Sequence, residues 1–395
     1  MKTKVLFILL SAILIGCQSG GGKSKTAELP VIDISKSYPK KEIILQNIAD
    51  IEYIPLETTD EVLLGQYSSL SYVSGNYVLI YDLMQGEVFV FNRNGRIVHH
   101  FNHRGQGDKE YNRIASLVFD EKNEEIFVFD ISSALRRILV YSIAGEYRRT
   151  LKYPDNLNIT GYNFDDETML VYDINGLFQN EYSEKPYMLL SKKDGSVVAD
   201  LDITMPVRYS NRGVVSYTDA NGQQITQSFS IATSNNRYFG QDLVIADYSS
   251  DTIYRLRKNK ELTPFVVRTP SVHSSEPRTV WSAALTTDKF ILVTKTIFDF
   301  ESVRRMQSVS STAFSHDFKT GETSEVTFVN DDFPSGKEWS PGTVDIPQKN
   351  MAASMIQLFT LKNALEEKKL KGDLEKLVAS LDADDNPVVM IVKFK

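Results

Sequence analysis

The chain contains very little cysteine: Cys17 is the only one in 395 residues, so the fold holds no internal disulfide bond. It also has only one long apolar run, Val5 to Leu14. That run is too short for a bilayer of about 30 Å, which requires roughly 20 apolar residues. No G-x-S-x-G motif is present, so the sequence gives no support to a serine hydrolase of that class.

The chain also lacks a positive charge balance, since its formal net charge is −7. Removal of residues 1–16 would take away two lysines and no acid, which leaves a net charge of −9. An acidic surface repels polyanions, so nucleic acid is not an expected partner.

The first seventeen residues have the parts of a secretory signal peptide. Lys2 and Lys4 provide a basic start, an apolar stretch of about ten residues follows, and Gly16 precedes Cys17. The segment 14–17 resembles the lipobox of bacterial lipoproteins, which implies cleavage before Cys17 and lipid attachment to it. An ordinary signal peptide with a chance cysteine is the alternative. Residues 17–30 are polar and rich in Gly and Ser, which predicts a flexible tether.

Short runs of β-branched and aromatic residues, separated by turn residues, recur from residue 66 onward. Runs of five or six such residues are typical of β-strands. The pattern repeats with a period near 50, and Gly95, Gly145 and Gly195 occupy the same place in it. A period of this length with about four strands per unit indicates β-propeller blades. We expect the three glycines to form hairpin turns that need a positive φ.

Five blades can be recognised between about residues 66 and 328, and a sixth must come from the two ends of the chain. Residues 43–45 and 51–56 have strand character near the N-terminus, and residues 387–394 form a clear apolar strand near the C-terminus. Pairing the ends in one sheet would close the ring without a disulfide. The predicted fold is therefore an all-β, six-bladed β-propeller over residues 31–395.

One segment, about residues 349–381, has a helical period instead of a strand period. Met351, Met355 and the leucines that follow recur at roughly helical spacing, Gly372 interrupts them, and a second short amphipathic piece comes next. We predict a helical pair packed on the propeller before the closing strand. Its apolar residues either pack in the core or line a groove for a partner.

Aspartates recur at the ends of predicted strands, at Asp82, Asp130, Asp173 and Asp247. We expect each carboxylate to accept hydrogen bonds from the backbone of its own turn. A shared metal-binding or acid–base role is the alternative, although the repeat would spread these residues around the ring.

Three of the five histidines, His99, His100 and His103, are close together in the sequence and are a conceivable metal site. Neighbouring residues of a strand point to opposite faces, however, and no helical H-x-x-x-H motif is present. We interpret the group as a solvated strand end and predict neither a metal nor a cofactor.

Four segments of the chain carry a family resemblance: Ile51–Thr58, Phe91–Gly95, Gly105–Tyr111 and Asp385–Val389. Together they resemble the six-bladed β-propeller lipoproteins of Bacteroidetes, which are related to NHL-repeat proteins. The most specific element is G-x-G-x-x-E-Y, in which this chain has Asp108-Lys109 where the family usually has Pro-Gly. The resemblance covers nearly all of residues 40–395 and is weakest between about 206 and 345. It implies a propeller in the cell envelope and no particular activity.

The segment from His103 to Arg113 is the leading candidate for a ligand site. It links the outer strand of one predicted blade to the inner strand of the next, which places it at the mouth of the central channel. Arg104, Glu110, Tyr111 and Arg113 would present polar groups to one concavity there. Alternatively, Glu110 and Tyr111 hold adjacent blades together.

These features predict a lipid-anchored, non-enzymatic binding or scaffold module for a protein or carbohydrate ligand. The alternatives are a metal-dependent propeller enzyme (a lactonase, lyase or glycan-active enzyme) with its site in the channel, and a purely structural envelope protein. The expected location is the bacterial outer membrane, through lipid on Cys17. No acidic residue follows Cys17 within residues 18–22, which favours the periplasmic face.

Overall fold

The computed structural model describes eight stretches of the chain: residues 29–130, 136–175, 183–209, 212–218, 221–230, 236–298, 310–333 and 337–395. The signal peptide, Cys17 and most of the predicted tether lie outside them. The described residues form a six-bladed β-propeller that is nearly all β, so the predicted fold class is confirmed.

The first three blades are four-stranded antiparallel sheets whose strands follow the chain from the ring centre outward. Blade 1 contains β4 (Ser68–Val73), β5 (Tyr77–Asp82), β6 (Glu87–Asn92) and β7 (Ile97–Asn102). Blade 2 contains β8 (Ile114–Asp120), β9 (Glu125–Asp130), β10 (Arg137–Ser142) and β11 (Tyr147–Lys152). Blade 3 contains β12 (Ile159–Asn163), β13 (Thr168–Asp173), β14 (Tyr187–Ser191) and β15 (Val197–Asp200). The sequence repeat therefore corresponds to one blade.

The next two blades are each enlarged by a strand from elsewhere in the chain, and blade 5 also contains a sixth, short strand. A two-stranded hairpin precedes them, β16 (Arg212–Thr218) and β17 (Gln224–Ser230). Blade 4 contains β18 (Asn236–Phe239), β19 (Asp242–Ile245), β20 (Thr252–Leu256) and β21 (Leu262–Thr269). Blade 5 contains β22 (Thr279–Thr286), β23 (Phe290–Ile297), β24 (Ser311–Asp317) and β25 (Thr323–Asn330), with the short β26 (Lys337–Trp339) against β25.

The added strands come from the N-terminal segment, which runs along the outside of the ring. β1 (Val31–Asp33) pairs in parallel with β21, and β2 (Lys40–Ile44) pairs in parallel with β25. A single helical turn, α1 (Leu45–Ile48), then leads toward the sixth blade. The expectation that residues 43–45 belong to the sixth blade was wrong, because Ile43 and Ile44 extend the fifth sheet. A short apolar strand satisfies its backbone equally well on any exposed sheet edge, so composition did not choose between the two blades.

Both ends of the chain contribute to the sixth blade, as predicted. Its named strands are β27 (Met351–Ile356), β28 (Val388–Phe394) and β3 (Ala49–Pro55). β28 pairs antiparallel with β3 from Val388–Pro55 to Phe394–Ala49, which joins the two ends. Asn386 reinforces this closure, since its buried side chain donates to the carbonyls of Glu57 and Val62 and accepts from the amide of Leu64.

The helical pair lies between β27 and β28 as α2 (Leu358–Glu366) and α3 (Gly372–Ser380). The predicted start of the helical segment was wrong, since Met351 to Ile356 form a strand. The sequence M-A-A-S-M-I fits either period over six residues, and pairing with β28 decides in favour of a strand. Leu361 and Leu374 are fully buried in the same apolar cluster, so these helix residues serve the core.

Most of the apolar core lies between neighbouring blades. Leu79 and Val90 of blade 1, for example, pack with Leu117 and Val128 of blade 2. The turn glycines allow this close stacking: Gly95, Gly145 and Gly195 have φ of 79°, 87° and 83°, as the repeat predicted. A methyl group at Gly95 would also lie 2.0 Å from the carbonyl oxygen of Pro55.

Candidate functional site

The loop of residues 103–113, named the linking loop here, joins β7 of blade 1 to β8 of blade 2. Tyr111 is fully buried, and its hydroxyl donates to the carbonyl of Gly86 at 2.5 Å. The same oxygen accepts the amide of His103 at 3.0 Å. Burial raises the pKa of Tyr111, so the phenol keeps the proton that it donates. The hydrogen bonds of Tyr111 therefore connect the linking loop to the turn of blade 1.

Glu110 turns its carboxylate back into the linking loop. Oε2 accepts the amide of Gly107 at 2.8 Å. A methyl group at Gly105 would lie 1.9 Å from the same oxygen, so a larger residue there would displace the Glu110 carboxylate. Glu110 thus shapes the loop that contains it.

Blade 2 holds the linking loop from the other side. The Arg137 guanidinium donates to the carbonyls of Gly107 and Asp108 and, at 2.6 Å, of Glu110. Its Nε lies 3.5 Å from the carboxylate of Asp130, and both side chains are buried. This cation fixes the backbone conformation of the loop, and the sequence analysis did not identify it.

The two remaining candidates of the linking loop differ from each other. Arg104 is exposed, but it donates to the carbonyl of Met84 at 2.5 Å. Arg113 is also exposed, and its guanidinium has no hydrogen bond or ion pair with a described residue. It directly precedes Ile114, the first residue of an innermost strand, so it lies at the channel mouth. Arg104, Glu110 and Tyr111 thus bond to groups within the fold, and Arg113 is the predicted residue whose side chain has no bond to a described residue.

Three of the four recurrent aspartates accept hydrogen bonds from the backbone of their own turn, as predicted, whereas Asp130 accepts the amide of Arg113 at 3.4 Å and lies beside Arg137. Asp82 accepts from the amides of Met84 and Gln85, and Asp247 accepts from the amide of Ser249. Asp173 accepts from the amides of Asn158 and Asn175.

Two of the three neighbouring histidines, His100 and His103, have different partners and do not converge on one point. The Nε2 atom of His100 lies 2.5 Å from Glu87, and that of His103 lies 2.6 Å from the carbonyl oxygen of Gly145. Within the described residues, no three His, Cys, Asp or Glu side chains are placed to hold a metal ion.

The inner wall of the ring carries a carboxyl group that the sequence analysis missed. Asp345 lies in an irregular segment before blade 6 that runs parallel to β4, the innermost strand of blade 1. Its backbone is hydrogen-bonded to both Ser71 and Val73 of β4. Val344 and Ile346 are buried in the core between blades 6 and 1. Because side chains alternate along an extended chain, the side chain of Asp345 points toward the channel.

The environment of Asp345 disfavours its charged form. Burial raises the pKa of the Asp345 carboxyl to about 7, and the nearby Arg237 guanidinium acts in the opposite direction. Asp345 in turn contributes to the raised pKa of Tyr238 and Tyr81, for which burial is the larger cause. No hydrogen bond or ion pair joins its carboxylate to another described residue, which leaves hydrogen-bonding capacity at the centre of the ring.

Arg237 is the matching cation on β18, the innermost strand of blade 4. Burial lowers the pKa of its guanidinium. The Nε atom of Arg237 is buried without a hydrogen-bond partner, and no ion pair links the side chain to a described residue. An unpaired buried donor costs free energy. The Arg237 guanidinium is therefore suited to donate a hydrogen bond to a ligand.

Sequence reasoning missed Asp345 and Arg237 because they lie where the repeat is least regular. The sequence did contain a hint of Asp345, because a single acidic residue stands between two apolar residues in V-D-I. None existed for Arg237, since its strand of four residues follows a long insertion between blades 3 and 4.

Solved structures share the fold at low sequence identity. A protein of Bacteroides fragilis NCTC 9343 regarded as exported is 15% identical, with a TM-score of 0.62 over 92% of this chain and 99% of that chain. A member of the DUF4221 family from Bacteroides vulgatus ATCC 8482 is 10% identical over 89% and 99% of the two chains, with a TM-score of 0.47. Virginiamycin B lyase from Staphylococcus aureus with quinupristin is 11% identical over 87% and 99%, with a TM-score of 0.37. The first likeness shows the fold alone, and the other two are too distant to support an argument.

A search of curated proteins finds no match. No helix among the described residues is long and apolar enough to cross a membrane. The sequence profile described as "Domain of unknown function (DUF4934)" matches residues 29–393, which is most of the chain. The chain therefore belongs to the DUF4934 family.

Proposed function

We propose that this protein is a non-enzymatic binding module of the bacterial cell envelope, anchored by lipid on Cys17, whose central channel binds a carbohydrate. One observation carries the proposal: Asp345 and Arg237 lie near each other at the inner wall, and neither side chain has a hydrogen bond or ion pair with a described residue. Sugar hydroxyls both donate and accept hydrogen bonds, so one sugar can satisfy a carboxylate and a guanidinium together.

Polar groups on the inner strands of other blades support the same class of ligand. Inner strands contribute hydroxyls, among them those of Ser116 and Thr160, which are 3.1 Å apart and join blades 2 and 3. The Tyr238 hydroxyl donates to the carbonyl of Asn163 at 2.7 Å, which holds its aromatic ring in place. Fixed hydroxyls and rings are suited to a polar ligand of defined shape.

The metal-dependent enzyme remains the competing proposal. It requires several carboxylates or amides that converge on one ion, usually with six to eight oxygen ligands for calcium. Within the described residues no three His, Cys, Asp or Glu side chains are placed to hold an ion, and the inner-wall pair has one carboxylate and one cation. These charges favour a hydrogen-bonded organic ligand over a cation.

Calorimetry of the mature chain against a broad panel of glycans tests the binding proposal. We expect at least one glycan to bind, and Arg237→Gln to weaken that binding about tenfold or more, because a charge-assisted hydrogen bond is lost. Arg148→Gln, on the exposed face of β11, is the matched control and should leave binding unchanged. A folded protein that binds no glycan, or that binds only protein partners, would contradict the proposal.

Cell fractionation tests the anchor separately. Cys17→Ala should move the protein from the membrane fraction to the soluble fraction, and mass spectrometry of the wild type should find lipid on the new N-terminal residue. Protease treatment of intact cells then distinguishes the two membrane faces, since rapid loss would contradict the periplasmic orientation.

A further inference from the structure

A cavity of about 540 Å³ lies between blade 5 and the segment of residues 338–343 that leads into blade 6. It is bounded by strands β22 to β25 on one side and by Arg237 at its inner end. A volume in this range is typical of small-molecule sites. The cavity is separate from the linking loop, so the predicted loop residues do not contribute to it.

Two orphaned donors line this cavity. Arg237 Nε and Trp339 Nε1 are both buried, and neither has a hydrogen-bond partner. Trp339 makes an edge-to-face contact with Phe328 and a tilted ring contact with Phe394, which fix the direction of its N–H group. Buried donors are almost always satisfied in folded proteins, so two in one cavity indicate a ligand that supplies acceptor oxygens.

Hydroxyl groups cover much of the remaining wall. The residues that line the cavity include seven with a hydroxyl group: Ser282, Thr294, Ser311, Thr312, Thr327, Ser340 and Thr343. Each hydroxyl can donate or accept, and such a lining complements a ligand that itself carries several hydroxyls.

The wall of the cavity carries both a positively charged residue and negatively charged residues, at different positions. Arg237 is the cation, whereas two glutamates, Glu325 and Glu338, also contribute to the wall. Glu325 forms an ion pair with Lys40 at 3.2 Å, while Glu338 is exposed. A ligand with one negative group therefore has a defined orientation, with that group beside Arg237, and a polyanion would be repelled by Glu338.

We infer that this cavity is a subsite for a single sugar acid, with the carboxylate bound by Arg237 and Trp339 and the ring hydroxyls bound by the Ser and Thr side chains. This inference rests on the proposed carbohydrate-binding function and specifies its ligand. A guanidinium and an indole N–H together present the donors that a carboxylate accepts, and a neutral sugar cannot form the ion pair with the guanidinium.

Matched pairs of monosaccharides test the inference, because each pair differs only at the C6 carboxylate. Sodium D-glucuronate and D-galacturonate should bind the mature chain about tenfold or more tightly than D-glucose and D-galactose, given the usual contribution of a charge-assisted hydrogen bond. Calorimetry at moderate salt provides the affinities.

Tryptophan fluorescence locates the binding event, since the chain has only two tryptophans. Trp281 is buried and donates to the carbonyl of Ser250 at 3.1 Å, whereas Trp339 lines the cavity. Glucuronate should change the emission of wild type and of Trp281→Phe, and it should not change that of Trp339→Phe.

Two substitutions separate the donors. Arg237→Gln should abolish the preference for the acid over the neutral sugar, and Trp339→Phe should weaken acid binding while retaining an aromatic ring. Arg148→Gln, which removes an exposed charge elsewhere, should bind like wild type.

The possible failures are distinguishable. Equal binding of acid and neutral sugars, or unchanged acid binding in Arg237→Gln, would overturn the inference while the proposed carbohydrate function survives. If no carbohydrate binds to the folded wild type, both the inference and the proposed function fail.

Discussion

The linking loop and the inner wall of the ring both carry charged and aromatic side chains, but they differ in what those side chains bond to. In the linking loop, Tyr111 and Glu110 bond to backbone groups of blade 1 and of the loop itself. At the inner wall, the side chains of Asp345 and Arg237 have no hydrogen bond or ion pair with a described residue. Polar residues with a complete set of internal bonds stabilise the fold, and those with open capacity are available to a ligand.

This contrast shows why a residue pattern alone did not identify which of the two regions is available to a ligand. The G-x-G-x-x-E-Y segment stands out because a tight loop constrains several adjacent residues at once. A ligand site assembled from separate blades needs only one residue from each, so it leaves no local pattern.

The largest expected effect concerns the cation that holds the linking loop. Arg137→Met should lower the free energy of unfolding by about 3–5 kcal/mol, because it removes the donor to three loop carbonyls and the partner of the buried Asp130 carboxylate. Denaturant unfolding measures the loss. The exposed Arg148→Met is the control for a lost charge, and an equal effect of both changes would contradict the structural role of Arg137.

Tyr111→Phe should cause the next largest loss in the free energy of unfolding. It leaves the carbonyl of Gly86 and the amide of His103 without their partner in a buried position, which costs about 1–3 kcal/mol. Ligand affinity should stay at the wild-type value. A variant of wild-type stability that binds its ligand poorly would instead assign Tyr111 to the binding site.

Asp345→Asn should raise the free energy of unfolding, by a smaller amount that depends on pH. The pKa of Asp345 is raised in the folded protein, so its contribution to stability is present below pH 4 and is lost as the pH rises toward 7. The neutral variant should therefore be more stable than wild type at pH 8, by on the order of 1–2 kcal/mol once partial exposure is considered.

Unfolding curves at pH 4 and pH 8 measure this effect of Asp345→Asn. The charged or titratable groups that affect the site are Arg237, Tyr72, Tyr81 and Tyr238. The exposed Asp60→Asn serves as the charge control. If the difference in the free energy of unfolding between wild type and Asp345→Asn did not depend on pH, the result would contradict a raised pKa of Asp345.

Arg113→Ala should change stability least, within about 0.5 kcal/mol, because its guanidinium is exposed and unbonded to described residues. If the channel mouth takes part in binding, the glycan affinity should fall severalfold in calorimetry. A marked loss of stability would place Arg113 with the residues that hold the linking loop.

The regular part of the ring could be predicted from the sequence because each blade solves the same packing problem. Gly95, Gly145 and Gly195 recur because each hairpin needs a positive φ close to a neighbouring chain. The closing strand β28 was also recognisable, since a core strand is apolar on both faces.

The irregular parts could not be predicted, for reasons that differ from one element to another. The outer strands β1 and β2 are short, and only the exposed edges of blades 4 and 5 determine where they pair. Met351–Ile356 is long enough for either one helical turn or a strand. The inner-wall pair depends on spatial proximity between residues more than 100 positions apart, which neither period nor motif reveals.

Thermal unfolding of Tyr111→Phe and Arg237→Gln, with and without saturating sodium D-glucuronate, tests the central contrast most directly. A ligand that binds the folded state raises the midpoint of unfolding. Tyr111→Phe should unfold at a lower temperature than wild type and keep the full glucuronate-induced rise, whereas Arg237→Gln should unfold near the wild-type temperature and lose that rise. The reverse pattern would contradict the assignment of the linking loop to stability and of the inner wall to binding.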